Sequence, residues 1–344
     1  MSKSSNYPID FIITWVDGSD PEWQEEKNRY KGITGDSRAS RYRDWDTLRY
    51  LMRSIEHYAP WVNKVFLVTY GHLPSWIDIT NPKLEIVKHE DYLPAEYLPT
   101  FSSRTIDMNF HRIEKLSEHF VYFNDDMILT GPVTREDFFH NGLPRDTAVL
   151  RPAVVKSNVV NGKEKTSEMY LAPVIDMALI NRYFKKHQAI KINFWKWYNP
   201  IYGRELFKTL SMAVWNFFPG IREYHCCYSY LKSTYADLWK LEEATFDEVS
   251  KHRFRVNTDY NHWVFSYWQI ASGKFSPRKP NFGFSYALTD DETSNRKALQ
   301  AIRSSRHKLV CVNDSVSDIN YERVREEILN ELELIFPRKS RFEK

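Results

Sequence analysis

The sequence has 344 residues, 27% of them charged and 15% aromatic, with 48 Lys and Arg against 45 Asp and Glu. This composition belongs to a globular chain long enough for one large domain or two ordinary ones and excludes a disordered one; a net charge of +3 is too small to argue for nucleic acid. The three cysteines, Cys226, Cys227 and Cys311, make neither a disulfide framework nor a metal-ligand spacing, and they fit a reducing compartment.

The chain opens with MSKSSNYPID, which lacks the apolar run of a secretory signal, so none is expected. DFIITWV, Asp10–Val16, reads as the first strand and runs into the turn-forming loop DGSDP. There Trp15 can stack on a nucleotide base, Gly18 lets backbone approach a ligand, and Asp17 and Asp20 are strand-end acids; an ordinary Asx turn explains the loop equally well. Trp45, Leu48, Leu51, Met52 and Ile55 recur at helical spacing, and KVFLVT (Lys64–Thr69) and LEIVKH (Leu84–His89) follow as strands. LPTFSSRTIDMNFHRI offers Ser102 or Ser103 as a helix cap whose backbone amides suit phosphate oxygens. Over the predicted helix Arg104–Ser117, the residues Arg104, Asp107 and His111 share one face, as they also would on a plain wet face.

HFVYFNDDMILT, His119–Thr130, ends an apolar run in Asn124, Asp125 and Asp126. Two carboxylates at the end of a strand can hold a hard divalent cation such as Mg²⁺ or Mn²⁺, which would clamp a diphosphate. Turn capping by one acid and solvation of the other is the plainer alternative for an isolated pair. Alternation of short apolar runs with helical patterns up to here predicts βα units and a mostly parallel sheet flanked by helices. Ligands of such sheets bind at the carboxyl ends of the strands.

Beyond Pro152 the pattern turns irregular, with a polar loop, KSNVVNGKEKTSE, and then an aromatic segment carrying Trp195, Trp197, Trp215, Phe217 and Phe218 beside Lys191, Lys196, Arg204 and Lys208. That mixture suits an element lying at a membrane surface, and equally a helical subdomain that packs its rings internally. The uncharged run Thr209–Ile221 is 13 residues long, short of the roughly 20 that a span needs. His225 in EYHCCY is a candidate general base, and His252, Arg253 and Arg255 are candidate phosphate forks; singly, each reads as readily as a packed histidine or a solvated basic turn. Helices are expected near Ser233–Ser250, Tyr260–Ser272 and Asp318–Phe336, the last with Val324, Ile328, Leu332 and Ile335 as one apolar stripe. VCVND repeats the Asn-Asp pairing at Asn313 and Asp314, and PRKSRFEK reads as a basic tail.

Four stretches together resemble the Stealth proteins, sugar-1-phosphate transferases of capsule and exopolysaccharide synthesis that include the lysosomal-enzyme N-acetylglucosamine-1-phosphotransferase. They are DFIITWVDGSDPEW, the run from Leu48 to Leu129, the block from His225 to Gly273, and KLVCVNDSVSD with the helix after it. The resemblance implies a GT-A-like, Rossmann-like α/β fold divided as 1–151 (nucleotide-sugar and metal half), 152–223 (helical, aromatic-rich insertion) and 224–344 (remainder of the catalytic domain). It implies transfer of a sugar-1-phosphate from a nucleotide-sugar, such as a UDP-sugar, to a glycan hydroxyl, with release of the nucleoside monophosphate. A conventional metal-dependent glycosyltransferase, or a non-catalytic scaffold subunit, are the alternatives. By position, Asp107, Asp125 and Asp126 would hold Mg²⁺ or Mn²⁺, His225 would take the acceptor proton, and Arg255 would face the phosphoryl group. His225 and Arg255 stand as far apart as the family's pair, although Cys226 and Cys227 follow the histidine where the family often has Met-Pro. Trp15, Asp17, Gly18, Asp20, Ser102, Ser103, His111 and Asn124 would line the donor cleft, with Asn313 and Asp314 in support. Expected partners are the donor and a lipid-linked or growing polysaccharide, without nucleic acid. The expected place is the cytoplasm, with peripheral contact at the inner membrane face left open, as is the oligomeric state.

Overall fold

A computed structural model describes residues 7–30, 32, 42–154 and 167–344, the last segment from residue 171 with its side chains. Most of the expected polar loop, Lys156–Thr166, lies outside them. The first sheet has five strands in the order β3-β2-β1-β4-β8, built from β1 (Ile9–Thr14), β2 (Val65–Thr69), β3 (Leu84–Lys88), β4 (His119–Asn124) and β8 (Tyr228–Leu231). β1 to β4 run parallel, as the alternation predicts, and β8 closes the edge antiparallel to β4. Ile12, Ile13, Leu67, Val68, Val121 and Phe123 are all buried, as strands covered on both faces must be. In register, Thr14 lies opposite Asn124, so β1 and β4 end level.

β4 does not end in a loop. It turns at Asp125–Asp126 into β5 (Met127–Leu129), which joins a second sheet with β10 (Gly283–Leu288) and β11 (Leu309–Asp314) in the order β10-β11-β5. β5 runs antiparallel to β11, with Cys311 opposite Met127. A small third sheet holds β6 (Phe139–His140), β7 (Leu143–Asp146) and β9 (Ser276–Pro277). The two aspartates thus sit where one sheet hands the chain to another.

Three helix expectations are corrected in detail. The helix expected over Arg104–Ser117 is only Ser103–Met108, followed by a 3₁₀ turn at Phe110–Arg112; the Asn109 side chain bonds back to the Thr105 carbonyl at 2.8 Å and to Ser250 at 3.1 Å, ending the helix by competing with its ladder. The single helix expected near Ser233–Ser250 is two, Lys232–Leu241 and Glu243–Lys251. At the break, the Glu242 carboxylate accepts from Arg182 at 2.7 Å, Tyr183 at 2.6 Å and Thr245 at 2.9 Å. The helix expected near Tyr260–Ser272 begins at Trp263.

The segment after residue 166 is helical, over Ser167–Tyr183, Lys186–Ile192, Phe194–Trp197 and Leu206–Ser211. Trp197 and Phe218 are buried, stack at 5.6 Å and belong to the same apolar cluster as Ile12, Phe66 and Tyr122. Its base is therefore continuous with the core of the main sheet.

The expected basic tail is not a loose tail. Ser340 and Phe342 are buried, Asp78 N–H donates to the Phe342 carbonyl at 2.8 Å, and Lys344 N–H donates to the Trp76 carbonyl at 2.9 Å. Glu343 fixes this return by accepting from both Arg53 Nε (2.9 Å) and Nη2 (3.0 Å).

Candidate active site

The Asp125–Asp126 turn is held from below and from the side. Tyr122 donates to Asn124 Oδ1 at 2.6 Å, and Val312 N–H donates to the Asp126 carbonyl at 3.0 Å, so β11 fixes the turn. Asp126 Oδ1 is buried without a hydrogen-bond partner. Burial pushes the Asp125 carboxyl well above its ordinary range, with Asp126 and Asp44 adding like charge. Burial also raises Asp126, while His225 opposes the shift. Two acids whose charge is disfavoured, one with an orphaned oxygen, are a donor set that suits a cation.

His225 faces the same turn. Its backbone lies at φ +46°, a left-handed conformation uncommon for a residue with a side chain. The Glu223 carboxylate holds that geometry by accepting from His225 N–H at 2.7 Å, and it accepts from Tyr228 O–H as well. Burial lifts the Glu223 carboxyl to about 7. Ligand atoms of Asp126, His225 and Cys311 all lie within 4.8 Å of one another, a group of three among the described residues that could hold a metal. Burial keeps Cys311 a thiol, since it and then Asp126 raise its ionisation well above the usual value. Oxygen and imidazole donors are left, a set that suits a divalent cation.

Arg255 arrives from a loop sewn to the helix that starts at Ser103. Phe101 N–H donates to the Arg253 carbonyl at 2.9 Å, and the Phe101 and Phe254 rings stack at 5.3 Å. Arg104 Nη1 donates to the Val256 carbonyl at 2.6 Å, and His252 Nδ1 lies 2.6 Å from Asp259 Oδ1. Arg255 Nη2 then donates to Ser103 Oγ at 2.5 Å. His262 is near both His225 and Arg255. It is buried, 2.9 Å from Tyr230 O–H through Nδ1, and kept neutral first by burial and then by His225 and Arg255.

The other expected residues are distributed differently. Asp107 is buried against Tyr122, which itself bonds to Asn124, and lies near Arg255; its carboxyl is lifted by burial to about 7. Trp15 is not a free platform, because its ring is 6% exposed and its indole N–H donates to Asp44 Oδ2 at 3.0 Å. Asp17 makes the Asx turn, accepting from Ser19 N–H at 2.8 Å, and Asp20 caps the helix Pro21–Arg29 through Trp23 N–H at 2.8 Å. His111 packs on Trp239 with ring centres 5.4 Å apart, and burial lowers it to about 3. Ser102 is fully buried, its hydroxyl unpartnered. His252 is taken up by Asp259, and Arg253 reaches the Glu96 carbonyl at 3.3 Å. Asn313 contacts Cys311 Sγ at 3.5 Å and donates to Ser285, while Asp314 pairs with Arg43 at 3.3 Å beside the site.

Gly18 serves packing where ligand approach was expected. A Cβ there would lie 1.8 Å from the Tyr42 backbone oxygen, so Gly18→Ala is expected to destabilise the protein by about 1–3 kcal/mol, read as a lower midpoint in urea denaturation. Sequence reasoning also missed Asp44, Tyr122, Cys311 and His262. Asp44 had a faint signal as an acid in RDWD, but only the Trp15 hydrogen bond and its charge effect on Asp125 mark it.

Comparison with known proteins follows this geometry. Residues 7–35, 41–146 and 300–344 match Stealth protein conserved regions 1, 2 and 4. The capsular polysaccharide phosphotransferase WcwK of Streptococcus pneumoniae is 38% identical, covering 98% of this chain and 98% of its own. The receptor polysaccharide phosphotransferase WefC of Streptococcus oralis is 37% identical over 97% and 99%. The exopolysaccharide phosphotransferase cps2G of Lactiplantibacillus plantarum is 34% identical over 100% and 98%. Among solved structures, the galactosyltransferase LgtC is 9% identical with a TM-score of 0.40, covering 96% of this chain and 98% of its own, a likeness too distant to carry weight. His225 and Arg255 lie between the matched regions but within the full-length alignments.

Proposed function

Because the chain belongs to the Stealth family and is a transferase of phosphorus-containing groups acting in polysaccharide synthesis, we propose that it passes a sugar-1-phosphate from a nucleotide-sugar to a glycan hydroxyl. The observation that carries this reading is the meeting of Asp126 and His225 at the end of β4, with an unpartnered carboxylate oxygen beside an imidazole. An acid pair for a diphosphate and a base for a hydroxyl are the two things this reaction needs.

In this mechanism His225 accepts the proton of the acceptor hydroxyl as its oxygen bonds to the phosphorus bearing the sugar. The bond from that phosphorus to the oxygen of the nucleoside monophosphate breaks, and the product is a phosphodiester. Asp125 and Asp126 are the residues that would hold Mg²⁺ or Mn²⁺, whose charge would offset that of the diphosphate. Arg255, steadied by Ser103, faces the transferring phosphoryl group as a cationic fork. Glu223 positions His225 through its backbone. Three free buried cysteines fit a reducing cytoplasm, where we place the reaction.

The released nucleotide tests this. Purified protein given UDP-sugars, an acceptor glycan and Mg²⁺ or Mn²⁺ is expected to yield UMP and a new phosphodiester resonance in ³¹P NMR, both lost on chelation. Release of UDP instead would assign a conventional glycosyltransferase, and no turnover with any donor a scaffold role.

A further inference from the structure

Fifteen large apolar side chains are exposed among the described residues, and eight of them fall between residues 192 and 217: Ile192, Phe194, Trp195, Phe207, Leu210, Val214, Trp215 and Phe217. Trp195 and Phe207 are 75% and 73% exposed. Isolated surface hydrophobes are ordinary, but a concentration of this kind marks a contact surface.

The segment is built as one cluster. Lys186 Nζ donates to the carbonyls of Met212 (2.7 Å) and Ala213 (3.1 Å), and Tyr202 O–H donates to the Lys196 carbonyl at 2.8 Å. Trp197, Tyr202, Thr209 and Phe218 are buried and fasten the cluster to the core, so the remaining rings are left to solvent. From Lys185 to Phe217 there are six Lys or Arg and a single acid, Glu205, in a chain whose net charge is +3. Glu205 is already neutralised by Lys208 and Arg222, while Lys185, Lys191, Arg204 and Lys208 stay exposed.

We propose that this aromatic and basic cluster docks on the surface of an anionic membrane. Exposed tryptophan and phenylalanine rings suit the headgroup level, and flanking cations suit acidic lipid. No helix of the described residues is long and apolar enough to cross a membrane, so the contact is peripheral. A protein partner would need acidic complementarity to the four exposed cations, and a second copy would bring like charge against like. The cluster leads into the active site within a few residues: after Phe218 the chain is tied to residues 149–153 by Gly220 to Arg151 (3.0 Å) and Arg222 to Val149 (2.8 Å), and His225 follows. Docking therefore holds the site close to the lipid surface.

The test is flotation of the purified full chain with vesicles of phosphatidylcholine alone and of phosphatidylcholine mixed with phosphatidylglycerol. The protein is expected to float with the mixed vesicles only, less so at high salt. Each of Trp195→Ser, Phe207→Ser and Trp215→Ser is expected to lower partition by roughly tenfold, with the thermal midpoint and turnover on a soluble acceptor unchanged. Lys191→Glu with Lys208→Glu is expected to abolish the preference for acidic lipid. Wild-type protein that stays with the soluble fraction overturns the proposal. So does a stable dimer in solution that the same ring substitutions dissociate. Because flotation needs no catalysis, its failure is distinct from failure of the assigned reaction.

Discussion

His225→Ala is expected to lower kcat by about 10²–10⁴-fold, the usual contribution of a general base, while nucleotide-sugar binding stays nearly unchanged. The donor contacts assigned above come from the aspartate turn and Arg255, and both carboxylates and the guanidinium remain when the imidazole is removed. One confounding effect has a built-in control. The backbone at His225 is left-handed, at φ +46°, and alanine in such a conformation is strained by roughly 1–2 kcal/mol. Asparagine tolerates it well, so His225→Asn should fold like the parent yet be as slow as the alanine variant. Single-turnover release of the nucleoside monophosphate, with donor affinity from calorimetry, reads both quantities. If His225→Asn retains turnover near that of the parent, the imidazole is a packing group and the assignment of the base is wrong.

Arg53→Ala is expected to destabilise the protein by about 3–5 kcal/mol, because it takes the close guanidinium from a buried carboxylate and leaves it the Ser340 bonds at 2.9 and 3.1 Å and Arg49 at 3.8 Å. The Arg53 guanidinium donates to Glu343 through Nε at 2.9 Å and Nη2 at 3.0 Å, to Glu333 at 2.8 Å and to the Phe336 carbonyl at 2.6 Å. The side chains of Arg53 and Glu343 are 6% and 2% exposed. Burial alone would raise the Glu343 carboxyl, but the Arg53 hydrogen bonds and charge together with the Ser340 hydrogen bonds outweigh it and hold it below its ordinary value. A depressed carboxyl contributes stability above its unfolded-state pKa and loses it as pH falls through the folded value. In the parent, that acid-side loss should appear below the ordinary glutamate range, and in Arg53→Ala it should vanish or invert. Urea titrations at neutral and acid pH measure both. The double variant Arg53→Met with Glu343→Gln should recover part of the loss, since it leaves no buried charge unpaired.

The parallel sheet could be read from alternation alone, because strands buried on both faces must be continuous apolar runs. The aspartate pair was visible for a related reason: acids directly after such a run can only sit at a strand end. His225 and Arg255 were different, each indistinct until family resemblance linked them. What escaped was decided by tertiary packing. Trp15 continues the buried face of β1, so its polar edge turns to Asp44 and away from solvent. Asp107 and His111 fall in two separate helical turns, and Tyr122 covers one and Trp239 the other. That PRKSRFEK folds back depends on Arg53, far away in sequence. No local pattern shows that β5 leaves the first sheet, or that β11 returns to align it.

That last feature bears on how the protein comes into being. The aspartates of the turn are made early in synthesis, yet the Val312 amide that fixes the Asp126 carbonyl and the Cys311 that faces it are made much later. Pairings so distant along the chain form slowly. A half-made protein already carries the aspartate turn, but its geometry is unset until the ribosome has passed β11.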